Sequence, residues 1–181
     1  MAEIEFKPWP KLPRFNREII ITEKIDGTNA CVIITEDGEW FAQSRNRLIS
    51  PSDDNAGFAG WVWDNGPALA EILGPGYHYG EWWGAKIGRK YGLDRKRFSL
   101  FNTTRWEDLS YGPDLVPGLG TVPVLYQGPF SEHAIRSAAA RLRLYGSVAA
   151  PGFMDPEGVV VFHTAANQMF KVTLENDEIP K

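Results

Sequence analysis

The chain has 181 residues, a formal net charge of −4 and one cysteine. The negative charge excludes a general polyanion binder, so any contact with nucleic acid must use a local basic patch. The single Cys31 excludes an intrachain disulfide. Because neither a signal peptide nor a long apolar run is present, we expect one soluble, cytoplasmic domain over residues 1–181, with no membrane contact.

The N-terminal segment predicts an extended arm over residues 1–17. Three prolines fall before residue 14, and a proline disfavours helix at the residue that precedes it. We expect this arm to lie on the protein surface, with Trp9 as its aromatic anchor.

Three strands are predicted next from their apolar and β-branched content. They run over Glu18–Lys24, Asn29–Thr35 and Glu39–Gln43. Asp26-Gly27 predicts a tight turn between the first two strands, and Asp37-Gly38 predicts a hairpin between the second and the third. Lys24 would then stand at the end of a buried strand, where a desolvated amine is a nucleophile. The alternative is a surface lysine whose amine reaches solvent.

The middle of the chain predicts helices, a strand and a basic loop. Apolar spacing over residues 52–73 predicts two helices, divided at Asp64-Asn65-Gly66-Pro67. Tyr77–Trp83 predicts a strand in which Glu81 is a carboxylate among aromatic neighbours, and such a carboxylate is either paired or functional. The following loop, Lys86–Arg97, holds six cations and one acid. It is either a solvated loop or a contact for the phosphates of ATP or nucleic acid.

The last part of the chain predicts four strands and one helix. The strands are Phe98–Thr103, Val122–Tyr126, Gly158–Phe162 and Gln168–Leu174. The helix is Ser131–Leu144, with Ser131 as its N-cap. Tight hairpins argue for antiparallel sheets, so the predicted fold class is α+β.

Several short segments resemble, in order, the motifs of one superfamily. The first is Lys24-Ile25-Asp26-Gly27-Thr28-Asn29. The next four are Ser44-Arg45-Asn46-Arg47, Tyr79-Gly80-Glu81-Trp82-Trp83-Gly84, Phe98-Ser99-Leu100-Phe101-Asn102 and Glu157-Gly158-Val159-Val160-Val161. A last segment, Phe170-Lys171-Val172, matches in part. Together they resemble the covalent nucleotidyltransferases, which comprise ATP-dependent DNA ligases, RNA ligases and mRNA capping enzymes. The closest resemblance is to RNA ligases that seal nicks in duplex RNA.

This resemblance implies a fold and a reaction. The fold is two antiparallel sheets flanked by helices with a nucleotide cleft between them, as in the ligase adenylyltransferase, or ATP-grasp-like, domain. The reaction is three nucleotidyl transfers, with ATP and Mg²⁺ (or Mn²⁺) as cofactors. AMP passes from ATP to Lys24 and then to a 5′-phosphate of RNA, and a 3′-hydroxyl finally displaces it. The implied partners are RNA ends or a nicked RNA duplex.

The resemblance also assigns roles to single residues. Lys24 is the implied nucleophile, Arg45 a contact to ribose or phosphate, and Lys171 a contact to the α-phosphate. Glu81 is expected to accept a hydrogen bond from a ribose hydroxyl, and Phe101 to stack on adenine.

Other assignments are less central to the chemistry. Glu23 is expected at the adenine edge, Asn29 in the nucleotide site and Glu157 at the metal. Further phosphate or nucleic-acid contacts are assigned to Arg47, Lys86, Arg89, Lys90, Arg95 and Lys96.

Two features depart from the family pattern, and other functions compete. The last motif usually carries two lysines one residue apart, whereas here Lys171 is alone and Met169 and Thr173 occupy the alternative positions. The chain ends soon after it, so we expect no separate C-terminal domain. The alternatives are a DNA ligase, a GTP-using capping-type enzyme or, in another class, a non-catalytic nucleotide- or RNA-binding module.

Overall fold

The computed structural model describes residues 4–107, 109 and 116–175. Within these residues it contains ten strands and two helices. The strands are β1 (Glu18–Lys24), β2 (Thr28–Ile34), β3 (Trp40–Ser44), β4 (Leu48–Ile49), β5 (Gly76–Gly84), β6 (Lys96–Leu100), β7 (Leu119–Thr121), β8 (Val124–Pro129), β9 (Gly158–His163) and β10 (Gln168–Thr173). The helices are α1 (Phe58–Leu73) and α2 (Glu132–Tyr145).

The smaller sheet has four antiparallel strands in the order β10-β9-β1-β8. One of its faces is apolar, because Ile19 and Ile21 alternate along β1 and point to the same side. These side chains pack with Ala138 and Leu142 of α2 into one buried cluster. As predicted, Ser131 caps this helix, since its side chain accepts a hydrogen bond from the Ala134 N–H.

The larger sheet has six strands in the order β4-β3-β2-β5-β6-β7. Its pairs are antiparallel except β6–β7, which is parallel. Helix α1 covers one face, where Phe58, Val62 and Leu69 join Val32 and Phe98 in the largest apolar cluster. The predicted α+β class is therefore confirmed, with two sheets, a helix against each, and one parallel pair added to the expected antiparallel pattern.

A third apolar cluster, here called the junction cluster, joins the two sheets. It consists of Ile25, Trp83, Tyr91, Val122, Ala149 and Ala150, with Leu93, Phe101 and Phe153 packed against it. Ile25 directly follows β1, so the cluster holds the chain where it leaves the smaller sheet. The two sheets therefore meet at the Lys24 end of β1.

The predicted hairpin between β1 and β2 is wrong. The two strands belong to different sheets, and residues 25–27 cross from one to the other. Burial of Ile25 in the junction cluster draws the chain across. Gly27 passes so close to the larger sheet that an added Cβ would lie 2.5 Å from the Trp82 carbonyl oxygen. The Asp37-Gly38 hairpin between β2 and β3 is confirmed.

The predicted division of α1 into two helices is also wrong. Pro67 lies inside one continuous helix, although it cannot donate a backbone hydrogen bond to the residue four positions earlier. That residue, Trp63, is exposed, so water reaches its carbonyl group. Gly66 faces the Trp40 indole, where an added Cβ would lie 2.1 Å from a ring carbon. The Gly-Pro pair therefore serves close packing on β3 rather than a break.

Residues 4–17, the predicted N-terminal arm, form neither helix nor strand, and all of them are exposed. Trp9, its expected anchor, is exposed. The anchor is Phe15 instead, whose ring centroid lies 4.1 Å from that of Phe130. The His163 ring also hydrogen bonds to the Phe15 carbonyl, with Nε2 2.7 Å from the oxygen.

Candidate active site

A cleft of about 1090 Å³ lies between the two sheets. It is lined by the sheet faces opposite to the helices. On β1, Ile20, Thr22 and Lys24 alternate with the residues that pack on α2, so they face the cleft. Seven of the predicted site residues line it: Glu23, Lys24, Asn29, Arg45, Glu81, Phe101 and Lys171.

Lys24 forms an ion pair with Glu157 at the joined end of the sheets. The Lys24 amine nitrogen lies 2.6 Å from Oε2 of Glu157. The pairing of β1 with β9 sets this contact, because Lys24 lies opposite Gly158, the residue after Glu157. The two side chains are 24% and 21% exposed, so both are largely withdrawn from water, and Lys24 lines the cleft.

Glu81 is a buried carboxylate that braces the turn after Lys24. Its side chain accepts hydrogen bonds from the Gly27 N–H at 3.0 Å and from the Asn29 side-chain amide at 2.9 Å. Burial raises the pKa of Glu81 to about 7, against the opposing effects of Lys24 and of these two hydrogen bonds. Asn29 and Glu81 are direct partners across β2 and β5. This carboxyl group therefore titrates near neutral pH at the wall of the cleft.

The Glu23 carboxylate, predicted at the adenine edge, is almost fully buried in the wall of the cleft. It follows Ile19 and Ile21 on the α2 side of β1, whereas Lys24 points into the cleft. It is 1% exposed and accepts hydrogen bonds from the Ser147 hydroxyl at 2.5 Å and from the Val148 and Ala149 N–H groups at 2.8 and 2.9 Å. Burial raises the pKa of Glu23 above its usual value, and the three hydrogen bonds offset only part of this effect. The geometry gives this side chain a structural role, which is to fix the segment after α2.

The remaining cleft residues lie on three different elements. Phe101 follows β6 directly and is half-buried, with one side against the junction cluster. Arg45 is exposed in the turn between β3 and β4. Lys171 is exposed on β10, opposite Val160 of β9. An aromatic ring and two cations are therefore distributed around the Lys24–Glu157 pair.

The predicted basic loop does not line the cleft. Arg89 instead contacts Asp26 and Asp155, with its backbone N–H 3.0 Å from the Asp26 carboxylate and a guanidinium nitrogen 2.6 Å from the Asp155 carboxylate. Lys96 donates to the Ala56 carbonyl at 2.7 Å. Lys86 and Lys90 are exposed.

The two remaining arginines of the predicted phosphate contacts form local ion pairs. Arg95 pairs with its neighbour Asp94 at 3.5 Å. Arg47 pairs with Asp53 and does not line the cleft. Both ion pairs join residues that are close in sequence. They therefore hold the two arginines locally and not toward the cleft.

The contacts that position the segment after Lys24 were not predicted from the sequence. The Tyr91 hydroxyl accepts a hydrogen bond from the Asp26 N–H at 2.8 Å, and Tyr91 is itself buried in the junction cluster. Asp26 also holds Arg89, which in turn reaches Asp155, two residues before Glu157. The signal that points to this network is Asp26 itself, an acid next to a glycine in a buried turn.

The described residues contain neither a cluster of metal ligands nor a helix that could span a membrane. No group of three or more His, Cys, Asp or Glu residues among them forms a metal site. Glu157 contacts Lys24 directly, and Glu81 lines the cleft. Neither described helix has the length and apolar content needed to cross a membrane.

Comparison with known proteins places the chain in a family. Structures of Naegleria gruberi RNA ligase variants share its fold. One with AMP and Mn has a TM-score of 0.63 at 18% identity, covering 88% of this chain and 50% of that chain. One with ATP and Mn has a TM-score of 0.63 at 15% identity, covering 89% and 51%. An apo structure has a TM-score of 0.65 at 18% identity, covering 91% and 51%.

This chain thus spans about half the length of these solved structures. A search of curated proteins found no match. The RNA ligase family model matches residues 17–173, which is most of the sequence. On that match, the chain belongs to the RNA ligase family.

Proposed function

We propose that this chain is the nucleotidyltransferase domain of an ATP-dependent RNA ligase that acts through a covalent Lys24–AMP intermediate. The observation that carries the proposal is the Lys24 amine, which stands at the end of a rigid strand, 2.6 Å from Glu157, in a cleft of about 1090 Å³. Membership of the RNA ligase family supports the reaction class. The Naegleria gruberi structures with ATP or AMP and Mn support the choice of nucleotide.

The first step transfers AMP from ATP to Lys24. The Lys24 nitrogen attacks the α-phosphorus, a P–N bond forms, and the bond from the α-phosphorus to the bridging oxygen breaks to release pyrophosphate. Only a neutral amine attacks, so a proton must leave Lys24 before the P–N bond forms. Glu157 Oε2, at 2.6 Å, is the acceptor nearest to hand.

The other cleft residues orient the nucleotide and balance its charge. Glu81 accepts from a ribose hydroxyl when it is ionised, and Phe101 stacks on adenine. Arg45 and Lys171 neutralise the phosphates, because preorganised cations stabilise the charge that develops during transfer. Asn29 keeps Glu81 in position through their 2.9 Å hydrogen bond.

The cleft also fits a divalent metal bound together with the nucleotide. Mg²⁺ is held in proteins by one or two carboxylates and by substrate phosphates, not by a complete protein cage. Glu157 together with the nucleotide phosphates meets that pattern without a cluster of three acids among the described residues. When bound, Mg²⁺ or Mn²⁺ supplies neutralisation of the triphosphate charge.

The later steps act on RNA. The 5′-phosphate of an RNA strand attacks the phosphorus of Lys24–AMP and displaces the lysine nitrogen. A 3′-hydroxyl then attacks the activated 5′-phosphate, and AMP leaves. A nick in duplex RNA is the substrate we propose, because it holds both ends in register.

The first test is intact mass after incubation with ATP and Mg²⁺. We expect the mass to rise by one acid-labile AMP in the wild type and in Lys86→Ala, which removes an exposed lysine outside the cleft. Lys24→Ala should show no adduct, because this variant lacks the amine that we propose as the nucleophile. An adduct on Lys24→Ala would refute the assignment.

Two further arms separate the competing functions. GTP in place of ATP should give little adduct, whereas a capping-type enzyme would prefer GTP. With adduct formed, nicked duplex RNA should be sealed faster than nicked duplex DNA, and the reverse would identify a DNA ligase. ATP binding without any adduct would identify a non-catalytic module.

A further inference from the structure

The N-terminal arm, residues 4–17, exposes an unusual amount of apolar surface. Its five large apolar side chains are 69–93% exposed, and they are Ile4, Phe6, Trp9, Leu12 and Phe15. Soluble proteins rarely leave such groups in water unless a partner covers them. Apart from Phe15, which packs on Phe130, these side chains contribute to none of the three apolar clusters.

The arm is also strongly basic. It contains four cations, Lys7, Lys11, Arg14 and Arg17, and one acid, Glu5. The arm therefore has a charge of +3 in a chain of net charge −4. Cations and rings alternate along it, in the order Phe6, Lys7, Trp9, Lys11, Arg14 and Phe15. This segment was predicted only as an arm that lies on the protein surface. Its positive charge makes it a second basic segment besides Lys86–Arg97.

The arm leaves the fold at the end of the cleft away from Lys24. The Phe130 N–H donates to the Arg17 carbonyl at 2.8 Å, which fixes the arm at the start of β1. Ile20 and Phe162, a cross-strand pair that lines the cleft, lie beside this point. Because β1 rises about 3.3 Å per residue, the origin of the arm is roughly 20 Å from Lys24.

We propose that this arm binds a single-stranded stretch of RNA that extends from the nicked duplex out of the cleft. Its cations would pair with phosphates and its rings would stack on unpaired bases, the two contacts by which single strands are bound without sequence preference. The three prolines disfavour helix along the arm. In the polyproline II conformation a chain rises about 3.1 Å per residue, so the rings and cations of the arm would follow an RNA strand. The inference rests on the proposed function for the choice of RNA.

Charge favours RNA over a protein partner. A proline-rich segment with aromatic side chains also fits a groove on another protein or on a second copy of this chain. Cations placed between the rings fit RNA better than they fit a groove on a protein. Phosphates and bases alternate along an RNA strand, as cations and rings alternate along the arm. Duplex RNA does not suit the rings, since its bases are already stacked.

The test compares two triple variants with the same change in charge. The arm variant carries Lys7→Gln, Lys11→Gln and Arg14→Gln. The control carries Arg136→Gln, Arg141→Gln and Arg143→Gln, on exposed positions of α2. The probe is a labelled single-stranded RNA of about 12 nucleotides, within the usual site sizes, followed by fluorescence anisotropy over a salt series.

We expect the arm variant to bind the RNA at least ~10-fold more weakly than the control. The slope of log affinity against log salt should fall by about 2, since each lost phosphate contact on a single strand contributes about 0.7. Trp9→Leu, which keeps apolar bulk but loses the ring face, should weaken binding roughly 5- to 100-fold. Lys24–AMP formation should be unchanged in all three variants, because these residues lie outside the cleft.

Three results would overturn the inference. Equal losses in the arm and control variants would show a general charge effect. Unaltered RNA affinity in Trp9→Leu would exclude stacking. Self-association of the wild type that Trp9→Leu abolishes, with RNA affinity unchanged, would assign the arm to a second copy. RNA affinity is measured without ATP, so a failure of Lys24–AMP formation and a failure of the arm are separate results.

Discussion

Two buried glutamates, Glu23 near the end of β1 and Glu81 within β5, have different surroundings in this fold. Glu23 is buried among the hydroxyl and N–H groups of residues 147–149, which satisfy its carboxylate. Glu81 is also buried, but it lies at the wall of the cleft with Lys24 and Glu157 near it. A buried carboxyl group beside a lysine that must lose a proton makes the site sensitive to pH.

Glu81→Gln tests this at the level of stability. Burial raises the pKa of Glu81 from the usual 4.5 to about 7, so the folded protein holds this proton more tightly than the unfolded chain. Its contribution to stability is therefore fully present below pH 4.5 and is lost as the pH rises to 7, by up to ~3 kcal/mol. Glutamine does not titrate, so the free energy of unfolding of the wild type, relative to the variant, should fall between these pH values.

The measurement is urea unfolding of both proteins at pH 5 and pH 8. Asp94→Asn is the control, because Asp94 is exposed and its loss should leave the pH dependence unchanged. Parallel pH profiles for the wild type and Glu81→Gln would contradict the raised pKa. Activity gives a second readout, since the loss of one preorganised charged group should slow Lys24–AMP formation by ~10²-fold or more.

At this scale, the sequence predicts which residues matter better than where their side chains point. The motif order identified Lys24, Glu81 and Glu157, and the structure brings Lys24 and Glu157 into contact. Strand alternation alone would have turned Glu23 away from Lys24, because neighbours on a strand face opposite sides. Its partners at Ser147 are more than 120 residues away in the chain, so local pattern did not reveal them.

The loop between β5 and β6 is the element that the structure most changes. Its cations predicted either a solvated loop or a phosphate contact, whereas Arg89 and Tyr91 hydrogen bond to Asp26 and fix the segment after Lys24. Gly88 makes this approach possible, because its φ of 47° suits glycine and an added Cβ would lie 2.7 Å from the Asp26 carboxylate. The loop thus ties the turn after Lys24 to the segment before Glu157.

Arg89→Ala should therefore slow the chemistry without weakening ATP binding. The variant keeps the backbone N–H bond to Asp26 but loses the guanidinium contacts with Asp155 at 2.6 Å and with Asp26 at 3.8 Å. Lys24 and Glu157 are then less firmly positioned, and such misplacement lowers the rate roughly 10- to 100-fold. The ATP concentration for half-maximal rate should stay the same, since Arg89 does not line the cleft. Single-turnover formation of Lys24–AMP over a range of ATP concentrations measures both quantities.

Two companion variants make the result specific. Arg95→Ala removes an exposed arginine of the same loop and should have no effect. Arg89→Lys should restore part of the rate, because lysine keeps the charge but not the forked geometry. A raised ATP requirement in Arg89→Ala, with an unchanged maximal rate, would place Arg89 at the phosphates instead.

Most elements were predictable, and the errors have physical causes. Strands β1 and β9 and helix α2 follow from alternation and capping within one residue at each end. The crossing from β1 to β2 was not predictable. Asp26-Gly27 is locally a hairpin signal, whereas Ile25 packs into a cluster formed by residues distant in the sequence. Strand β7 and its parallel pairing with β6 give no local signal, since three residues are too few for a period.

At the scale of the whole molecule, two helix-backed sheets are joined at one end and open at the other. Each has its own apolar cluster, and the junction cluster lies at the Lys24 end. The sequence alone gave no reason to place β1 and β2 in different sheets, so the cleft itself came from the family resemblance. The cleft is the part of the fold that a ligand touching both sheets would stabilise.

We predict that ATP stabilises both sheets as one unit. Lys24, Thr22 and Lys171 line the cleft from the smaller sheet, and Glu81, Asn29 and Arg45 line it from the larger. A ligand that binds only the folded state at 100 times its Kd adds about 2.7 kcal/mol, which for a chain of this size raises Tm by roughly 5–10 °C. Lys24→Ala should keep most of this shift, because non-covalent binding remains. Hydrogen exchange, measured with and without ATP on Lys24→Ala, should slow in β5 and in β9 together. Protection confined to one sheet would show that ATP does not bridge the cleft.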